Sequence, residues 1–164
     1  MKLLSFFQQL FSSRKTSTGN PSPQAAEPAH PYLLPGKVSW SVWPKGFASA
    51  RDLLDQEVAY ARHHRLRVIV YSHAAWCPGS AIFKQLRDHP EVAAAFSRVH
   101  LVEVGDQDLH QLSTLEMRSP SIPTFFAVDA QGNYSGQSIT GAVWGPDVPE
   151  TIGPAMTKWV ASLG

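Results

Sequence analysis

The sequence predicts an α/β fold in which a mixed β-sheet is flanked by helices on both faces. Strand-like and helix-like segments alternate from residue 37 onward, which favours parallel strands joined by helices. The run "RVIVYS" (67–72) is almost continuously apolar, as in strands that are buried on both faces. The last two strand-like runs are separated only by Gln131, Gly132 and Asn133, a short turn that indicates an antiparallel hairpin.

The composition is that of one globular domain with some additional chain. The protein has 164 residues, of which 43% are hydrophobic and 16% are charged. A formal net charge of +1 is too small for the broad basic surface of a nucleic-acid-binding protein, so we expect no nucleic-acid partner. Cys77 is the single cysteine, which excludes an internal disulfide and fits a reducing compartment. We therefore predict a cytoplasmic protein.

Residues 1–36 divide into two segments that precede the predicted domain. Residues 1–11 place apolar side chains on one helical face, which predicts an amphipathic segment. Contact with a membrane surface, docking on a partner and a frayed tail remain open for it, and a signal or anchor would make the protein membrane-associated or exported. Residues 12–36 hold five prolines and four serines, typical of an extended linker. The folded domain is predicted over 37–164.

The first strand is predicted in "KVSWSVW". Val38, Trp40 and Val42 share one face, and Ser39 and Ser41 share the other, a pattern that indicates a half-buried strand.

The elements that follow are read from the spacing of their apolar residues. Pro90 interrupts the helix after the second strand, and Pro154 limits where the closing helix can begin. The predicted elements are a helix over 50–65, a strand over 67–72, two helical stretches over 78–96, a strand over 99–104, a short helix over 109–115, two strands within 124–140, and a helix over 152–163.

Cys77 lies where a buried strand is predicted to end and a helix to begin. The first turn of a helix offers unpaired backbone N–H groups and a partial positive charge, both of which stabilise a thiolate. Ser80 lies one turn further on, where its hydroxyl can donate to the sulfur. Pro78 suits the first helical position, and Trp76 shields one side of the thiol. A buried cysteine that acts only as a small hydrophobic residue is the alternative.

Three motifs together resemble those of the thioredoxin superfamily. They are Trp76-Cys77-x-x-Ser80 after the apolar strand, Ile122-Pro123-Thr124 before a later strand, and Gly141 after the hairpin, and the resemblance covers residues 37–163. It implies a thioredoxin-like fold with a cis Ile122–Pro123 peptide bond beside the cysteine. The backbone of Ile122 would then offer edge hydrogen bonds to an extended client peptide. The residues implied to bind the client are Trp76, Pro78, Gly79, Ile122, Pro123 and Thr124.

Two departures from the pattern of ordinary thioredoxins bear on function. Ser80 stands where the resolving cysteine would be, and a dithiol cycle needs that second thiol to release the client. Tyr71 stands where typical thioredoxins carry a buried acid. The resemblance therefore implies monothiol exchange, in which Cys77, helped by Ser80, forms mixed disulfides with client proteins or glutathione. A redox-inactive binding module that uses the proline groove is the alternative.

Cofactors are not predicted, apart from an external thiol such as glutathione. Monothiol glutaredoxins hold an iron–sulfur cluster with glutathione, but "TGAVWGPD" brings only Trp144 and Asp147 where an acidic glycine-rich segment is needed. The histidines have no zinc-like spacing, so no metal site is predicted. Two roles remain open for His73, an ion pair with the Cys77 thiolate or a hydrogen bond elsewhere. The long loop 139–153 either gates the client groove or packs over the sheet edge.

Overall fold

The computed structural model describes residues 37–164, so the predictions for residues 1–11 and 12–36 lie outside the described residues. Its strands and helices follow the predicted order, with the interruption near Pro90 separating two helices. The elements are β1 (Ser39–Val42), α1 (Ala50–His63), β2 (Arg67–Ser72), α2 (Pro78–Leu86), α3 (Pro90–Ala95), β3 (Val99–Val104), α4 (Leu109–Leu112), β4 (Thr124–Val128), β5 (Tyr134–Thr140) and α5 (Pro149–Ser162).

The strands form one mixed sheet in the order β1-β3-β2-β4-β5. Strands β1 and β2 each pair in parallel with β3, while β4 is antiparallel to both β2 and β5. The predicted mixed α/β fold is confirmed. Because β1, β2 and β3 are parallel, their carboxyl ends meet at one edge of the sheet, and the segment that carries Cys77 leaves the sheet at that edge.

Two hydrophobic layers cover the two faces of the sheet. The layer under α2, α3 and α5 is rich in aromatic rings, and Phe125 lies at its centre with ring centroids 4.8 Å from those of Tyr71 and Phe83. The layer under α1 and α4 is mainly aliphatic. The aromatic layer packs next to the segment that carries Cys77, because Tyr71 lies before that segment on β2 and Phe83 lies after it on α2.

Strand β1 alternates between buried and more exposed residues, as predicted for a half-buried strand, but the buried face is that of Ser39 and Ser41 and not that of Trp40 and Val42. Ser39 and Ser41 are 5% and 2% exposed, whereas Val42 at the end of the strand is 50% exposed. The serines are buried with polar partners, Glu57 on α1 and His100 on the neighbouring strand β3. Ser41 Oγ donates to Glu57 Oε1 at 2.6 Å, and Ser39 Oγ lies 2.8 Å from His100 Nδ1.

The prediction that Pro154 limits the start of the last helix is wrong. Helix α5 begins at Pro149 and continues through Pro154. Tertiary packing holds this part of the helix, since Ile152 and Met156 are fully buried in the aromatic layer. A Cβ at Gly153 would lie 2.6 Å from the carbonyl oxygen of Glu91, so only glycine allows α3 and α5 to approach this closely.

Candidate active site

Cys77 links the end of β2 to the start of α2. It is the N-cap residue of α2, with extended backbone angles, and its carbonyl accepts the N–H of Ala81 at 3.1 Å. Pro78 occupies the first turn of the helix, where its missing N–H costs nothing. The sulfur donates to the carbonyl oxygen of Ile122 at 3.4 Å, and the residue is 9% exposed. The thiol therefore lies at the mouth of a helix and against the proline loop.

The proline loop packs tightly against the residues around the thiol. The Ile122–Pro123 peptide bond is cis, and the carbonyl of Pro123 accepts the N–H of Gly141 at 3.0 Å. A Cβ at Gly141 would lie 3.0 Å from Pro123 Cδ, and one at Gly79 would lie 3.5 Å from the same atom. The structure thus brings together three of the motifs singled out in the sequence, from α2, from the loop before β4 and from the end of β5.

The residues implied to bind a client differ in how they are placed. Trp76 is 73% exposed, Pro78 is exposed, and Gly79 and Ile122 are half-buried. Thr124 is fully buried, and its hydroxyl donates to Ser121 O at 2.6 Å inside the loop. Thr124 therefore shapes the proline loop from within and presents no side chain to the surface.

Ser80 is buried beside the site, with 1% of its surface exposed. Its hydroxyl oxygen accepts the N–H of Ala74 at 3.5 Å, and within the described chain no hydrogen bond joins it to the Cys77 sulfur. Tyr71 donates from its hydroxyl to the carbonyl of Ser80 at 3.1 Å. Burial raises the pKa of Tyr71 above its ordinary value, so the phenol stays protonated as a donor. Both side chains hold the backbone around the thiol.

A buried carboxylate on β3 completes the surroundings of the site. Glu103 Oε1 lies 2.8 Å from His73 Nε2 and 2.6 Å from Lys84 Nζ, and the Glu103 side chain is 3% exposed. Burial by itself would raise the pKa of Glu103, but the hydrogen bonds from His73 and Lys84 outweigh it and hold that pKa below its usual range. His73 therefore pairs with Glu103 and not with the thiol. Sequence reasoning missed Glu103, although a charged residue inside the apolar run "VHLVEV" was a usable signal.

The long loop after β5 reaches both the core and the site. Trp144 is 5% exposed and packs in the aromatic layer, with its ring centroid 6.0 Å from that of Phe125. The indole Nε1 donates to Asp147 Oδ1 at 2.8 Å. This hydrogen bond holds the Asp147 carboxylate near the first turn of α2, where its Oδ2 would lie 3.6 Å from a Cβ at Gly79. The loop thus packs in the core and also adds a negative charge beside the groove.

Within residues 37–164, no group of three or more His, Cys, Asp or Glu side chains is arranged to hold a metal ion. Over the same residues, each helix is too short or too polar to cross a bilayer.

Comparison with solved structures shows the class of fold. The disulphide isomerase from Xylella fastidiosa Temecula1 superposes with a TM-score of 0.56 at 14% sequence identity, covering 71% of this chain and 94% of that chain. Trxlp from Edwardsiella tarda EIB202 gives a TM-score of 0.42 at 18% identity, covering 71% of this chain and 99% of that chain. A TM-score of 0.42 is too low to support a fold assignment, so the fold is assigned from the first structure alone. The fold is thioredoxin-like, as the sequence motifs implied.

Comparisons by sequence give a different result. No protein-family model and no curated protein matches the chain.

Proposed function

We propose that this protein carries out monothiol thiol–disulfide exchange, with Cys77 as the nucleophile. The observation that carries the proposal is the position of the sulfur, at the N-cap of α2 and 3.4 Å from the carbonyl of Ile122 beside Pro123. A helix N-terminus favours the anionic form of a thiol, which is the nucleophilic form. The thioredoxin-like fold supports this chemistry in general terms.

The exchange needs no oxidant or reductant beyond the partner disulfide and an outside thiol. The Cys77 thiolate attacks one sulfur of a client disulfide, a new S–S bond forms, and the other client sulfur leaves as a thiolate that takes a proton from water. An outside thiol such as glutathione then attacks the mixed disulfide, and Cys77 leaves as the thiolate. Ser80 cannot perform this second attack because a buried hydroxyl is no nucleophile toward sulfur. The mixed disulfide is therefore long-lived.

Client proteins fit the groove better than glutathione does. Trp76 supplies an exposed aromatic surface beside the thiol, and the backbone of Ile122 would pair with an extended peptide. Asp147 places a carboxylate by the first turn of α2 and repels the carboxylates of glutathione. A client segment with a basic residue near its cysteine is favoured.

The second candidate function is a redox-inactive binding module that uses the same groove. One observation favours it, since Cys77 is only 9% exposed, which limits the access of a second sulfur to the thiol. In that case Trp76 and the proline loop would bind a partner without any covalent step.

Alkylation by iodoacetamide at pH 7 distinguishes the two functions. With one cysteine in the chain, the urea-unfolded protein is a control for the folded one. Exchange predicts that the folded thiol reacts at least as fast as the unfolded thiol, despite its low exposure. A folded thiol that reacts ten times more slowly than the unfolded one would rule exchange out.

Three variants extend this experiment. Ser80→Cys adds a second thiol one helical turn from Cys77, and we expect it to shorten the lifetime of a mixed disulfide by at least tenfold. Asp147→Asn removes the negative charge beside α2 and is expected to speed reaction with oxidised glutathione more than reaction with a neutral disulfide. Partners that co-purify with Cys77→Ala as well as with the unchanged chain would point to the binding module.

A further inference from the structure

The end of the domain opposite Cys77 carries a groove with an apolar floor and basic side chains at its edge. Strand β2 runs from Arg67 to Ser72, so about 17 Å of strand separates this end from the edge of the sheet that carries the site. The groove has a volume of about 790 Å³ and lies between the ends of α1 and α5 and the starts of β2 and β3. We call this region the basal groove. Its apolar lining includes Val58, Leu66, Val68, Val128, Val160 and Leu163.

Four arginines line the basal groove, and two of them have no anionic partner. Arg62 donates to the carbonyl of Ala130 at 2.8 Å, and Arg67 donates to the carbonyl of Gly164. Arg65 and Arg98 are exposed and make no ion pair with another described residue. These two cations are therefore available to an external anion.

Arg65 and Arg98 stand side by side, each just before one of two paired strands. Arg67 on β2 pairs in register with Val99 on β3, and the Arg67 backbone N–H donates to the carbonyl of Arg98 at 2.9 Å. The two unpaired guanidinium groups are therefore placed to share one anion. A guanidinium group matches a carboxylate in shape, since it can donate two parallel hydrogen bonds to the two oxygens.

The acidic side chain that lines the basal groove does not cancel these charges. Asp129 accepts the backbone N–H groups of Gln131 and Asn133 at 2.9 and 2.8 Å, so its carboxylate is used by the β4–β5 turn. One acidic side chain faces four guanidinium groups in the lining. A ligand that combines negative charge with apolar surface is complementary to this groove.

The backbone of Arg65 has a conformation that favours glycine. Its φ is 57°, its N–H donates to the carbonyl of Arg62 at 3.2 Å, and the N–H of Leu66 donates to the carbonyl of Ala61 at 2.8 Å. These two hydrogen bonds form the Schellman motif that ends α1, in which glycine is the usual residue because a Cβ strains the left-handed backbone. The fold thus carries a cation at the edge of the groove where glycine would be more stable.

The size of the basal groove favours a small molecule over a protein partner. Its volume of about 790 Å³ lies within the range of roughly 300–1,000 Å³ that is typical of small-molecule sites. A stable protein interface buries about 800 Å² on each partner, and the lining of this groove offers much less surface than that. The occupant that fits is therefore a single small ligand.

We propose that the basal groove binds a small organic anion that has a carboxylate and an apolar chain. The carboxylate lies between Arg65 and Arg98, and the chain covers Val58, Val160 and Leu163, which are only half-buried in the structure described here. This site goes beyond the proposed thiol chemistry. It does not use Cys77, so the two proposals fail independently.

Nuclear magnetic resonance titration of the isotope-labelled full chain with sodium octanoate tests the proposal. We expect saturable shifts of the backbone amides of the groove, including those of Arg98 and Leu163, and none around Cys77. Octanol has the same chain without the charge and should bind at least tenfold more weakly. Butanoate keeps the carboxylate but lacks four CH₂ groups, and it should also bind at least tenfold more weakly, since each buried CH₂ strengthens binding about fourfold.

Three variants assign the binding to the unpaired arginines. Arg65→Gln with Arg98→Gln should weaken octanoate binding at least tenfold and leave octanol binding unchanged. Lys45→Gln with Arg118→Gln removes two exposed cations from the opposite end and should change octanoate binding by less than threefold. Arg65→Gly removes a cation and gives the end of α1 its preferred residue, so octanoate binding should weaken while the melting temperature does not fall.

Four outcomes would overturn the proposal. The first is octanol binding as tight as octanoate binding, and the second is unchanged octanoate binding in the Arg65/Arg98 variant. The third is tighter binding of oligoglutamate than of octanoate, and the fourth is a dimer in sedimentation that the Arg65/Arg98 variant dissociates; these would assign the groove to an acidic protein or to a second copy of the chain. Far-ultraviolet circular dichroism checks that each variant is folded, and Cys77→Ala should bind octanoate like the unchanged chain.

Discussion

Two buried carboxylates, one in each layer of the fold, differ in how completely they are hydrogen-bonded. Glu57 on α1 uses both oxygens, with Ser41 Oγ at 2.6 Å from Oε1 and His100 Nε2 at 2.8 Å from Oε2. Glu103 on β3 shares one oxygen between His73 and Lys84, while its Oε2 has no partner among the described residues. Glu57 lies in the layer away from the site, and Glu103 lies in the layer that supports it.

The difference shows what each carboxylate can do. The side chains of Glu57 and His100 are both 0% exposed, so breaking their pair is expected to lower stability. Glu103 is reached by Lys84, which is 39% exposed, and by His73, which lies in the loop that leads to Cys77. The stabilisation by Glu103 should depend on pH, because the folded state holds the pKa of this carboxyl below its usual range.

The largest loss of stability is expected when Glu57 is replaced. Glu57→Ala leaves Ser41 and His100 buried without their carboxylate, and breaking such a pair costs about 3–5 kcal/mol of the free energy of unfolding. Urea unfolding followed by tryptophan fluorescence measures the loss. Glu150→Ala, at an exposed position in the first turn of α5, should cost less than about 1 kcal/mol. If the two variants lost similar stability, the enclosed network would not be a stabilising feature.

Glu103→Gln should lower the free energy of unfolding by less than Glu57→Ala does, and the size of this loss should depend on pH. Removing the charge weakens the hydrogen bonds from His73 and Lys84, which lowers the free energy of unfolding by about 2 kcal/mol at pH 7. The folded state holds the pKa of Glu103 below its unfolded value of about 4.3, so this stabilisation is present above that pH and is lost as the pH falls through the folded pKa. Unfolding curves from pH 7 to pH 3 should therefore converge for the two proteins, and a constant difference would contradict the assignment.

Tyr71 on the neighbouring strand pairs in register with Glu103. We compare Tyr71→Phe with Glu103→Gln, because the loss of stability in Tyr71→Phe should not depend on pH. The substitution removes the hydrogen bond to Ser80 O but keeps the stacked ring, so the expected loss is about 1 kcal/mol. Because burial raises the pKa of Tyr71, the phenol is protonated from pH 4 to pH 8 and the loss should stay constant over that range. A loss that changed with pH as that of Glu103→Gln does would show that the two residues titrate as one unit.

The smallest effect on stability is expected at Trp76. Trp76→Ala removes a side chain that is 73% exposed, so the free energy of unfolding should change by less than about 0.5 kcal/mol. Under the proposed function the same variant weakens client capture, measured by the yield of mixed disulfide with a cysteine peptide. A large loss of stability would show that Trp76 packs on the domain and does not serve a client.

The sequence by itself determined the order of the elements and the position of the thiol. Apolar periodicity is local, so the strand over 67–72 and the interruption near Pro90 could be predicted from neighbouring residues. The motif around Cys77 likewise lies within one strand–helix junction. These features depend on contacts between residues close together in the chain.

The tertiary structure alone decided which polar residues are buried. Ser41 meets Glu57 across 16 residues of sequence, and Ser39 meets His100 across 61, so no local pattern could show that the serine face of β1 is the enclosed one. The helix through Pro154 and the pairing of Glu103 with His73 have the same origin. Strand register and the packing of helices on the sheet set these contacts, because each joins side chains from different layers or strands.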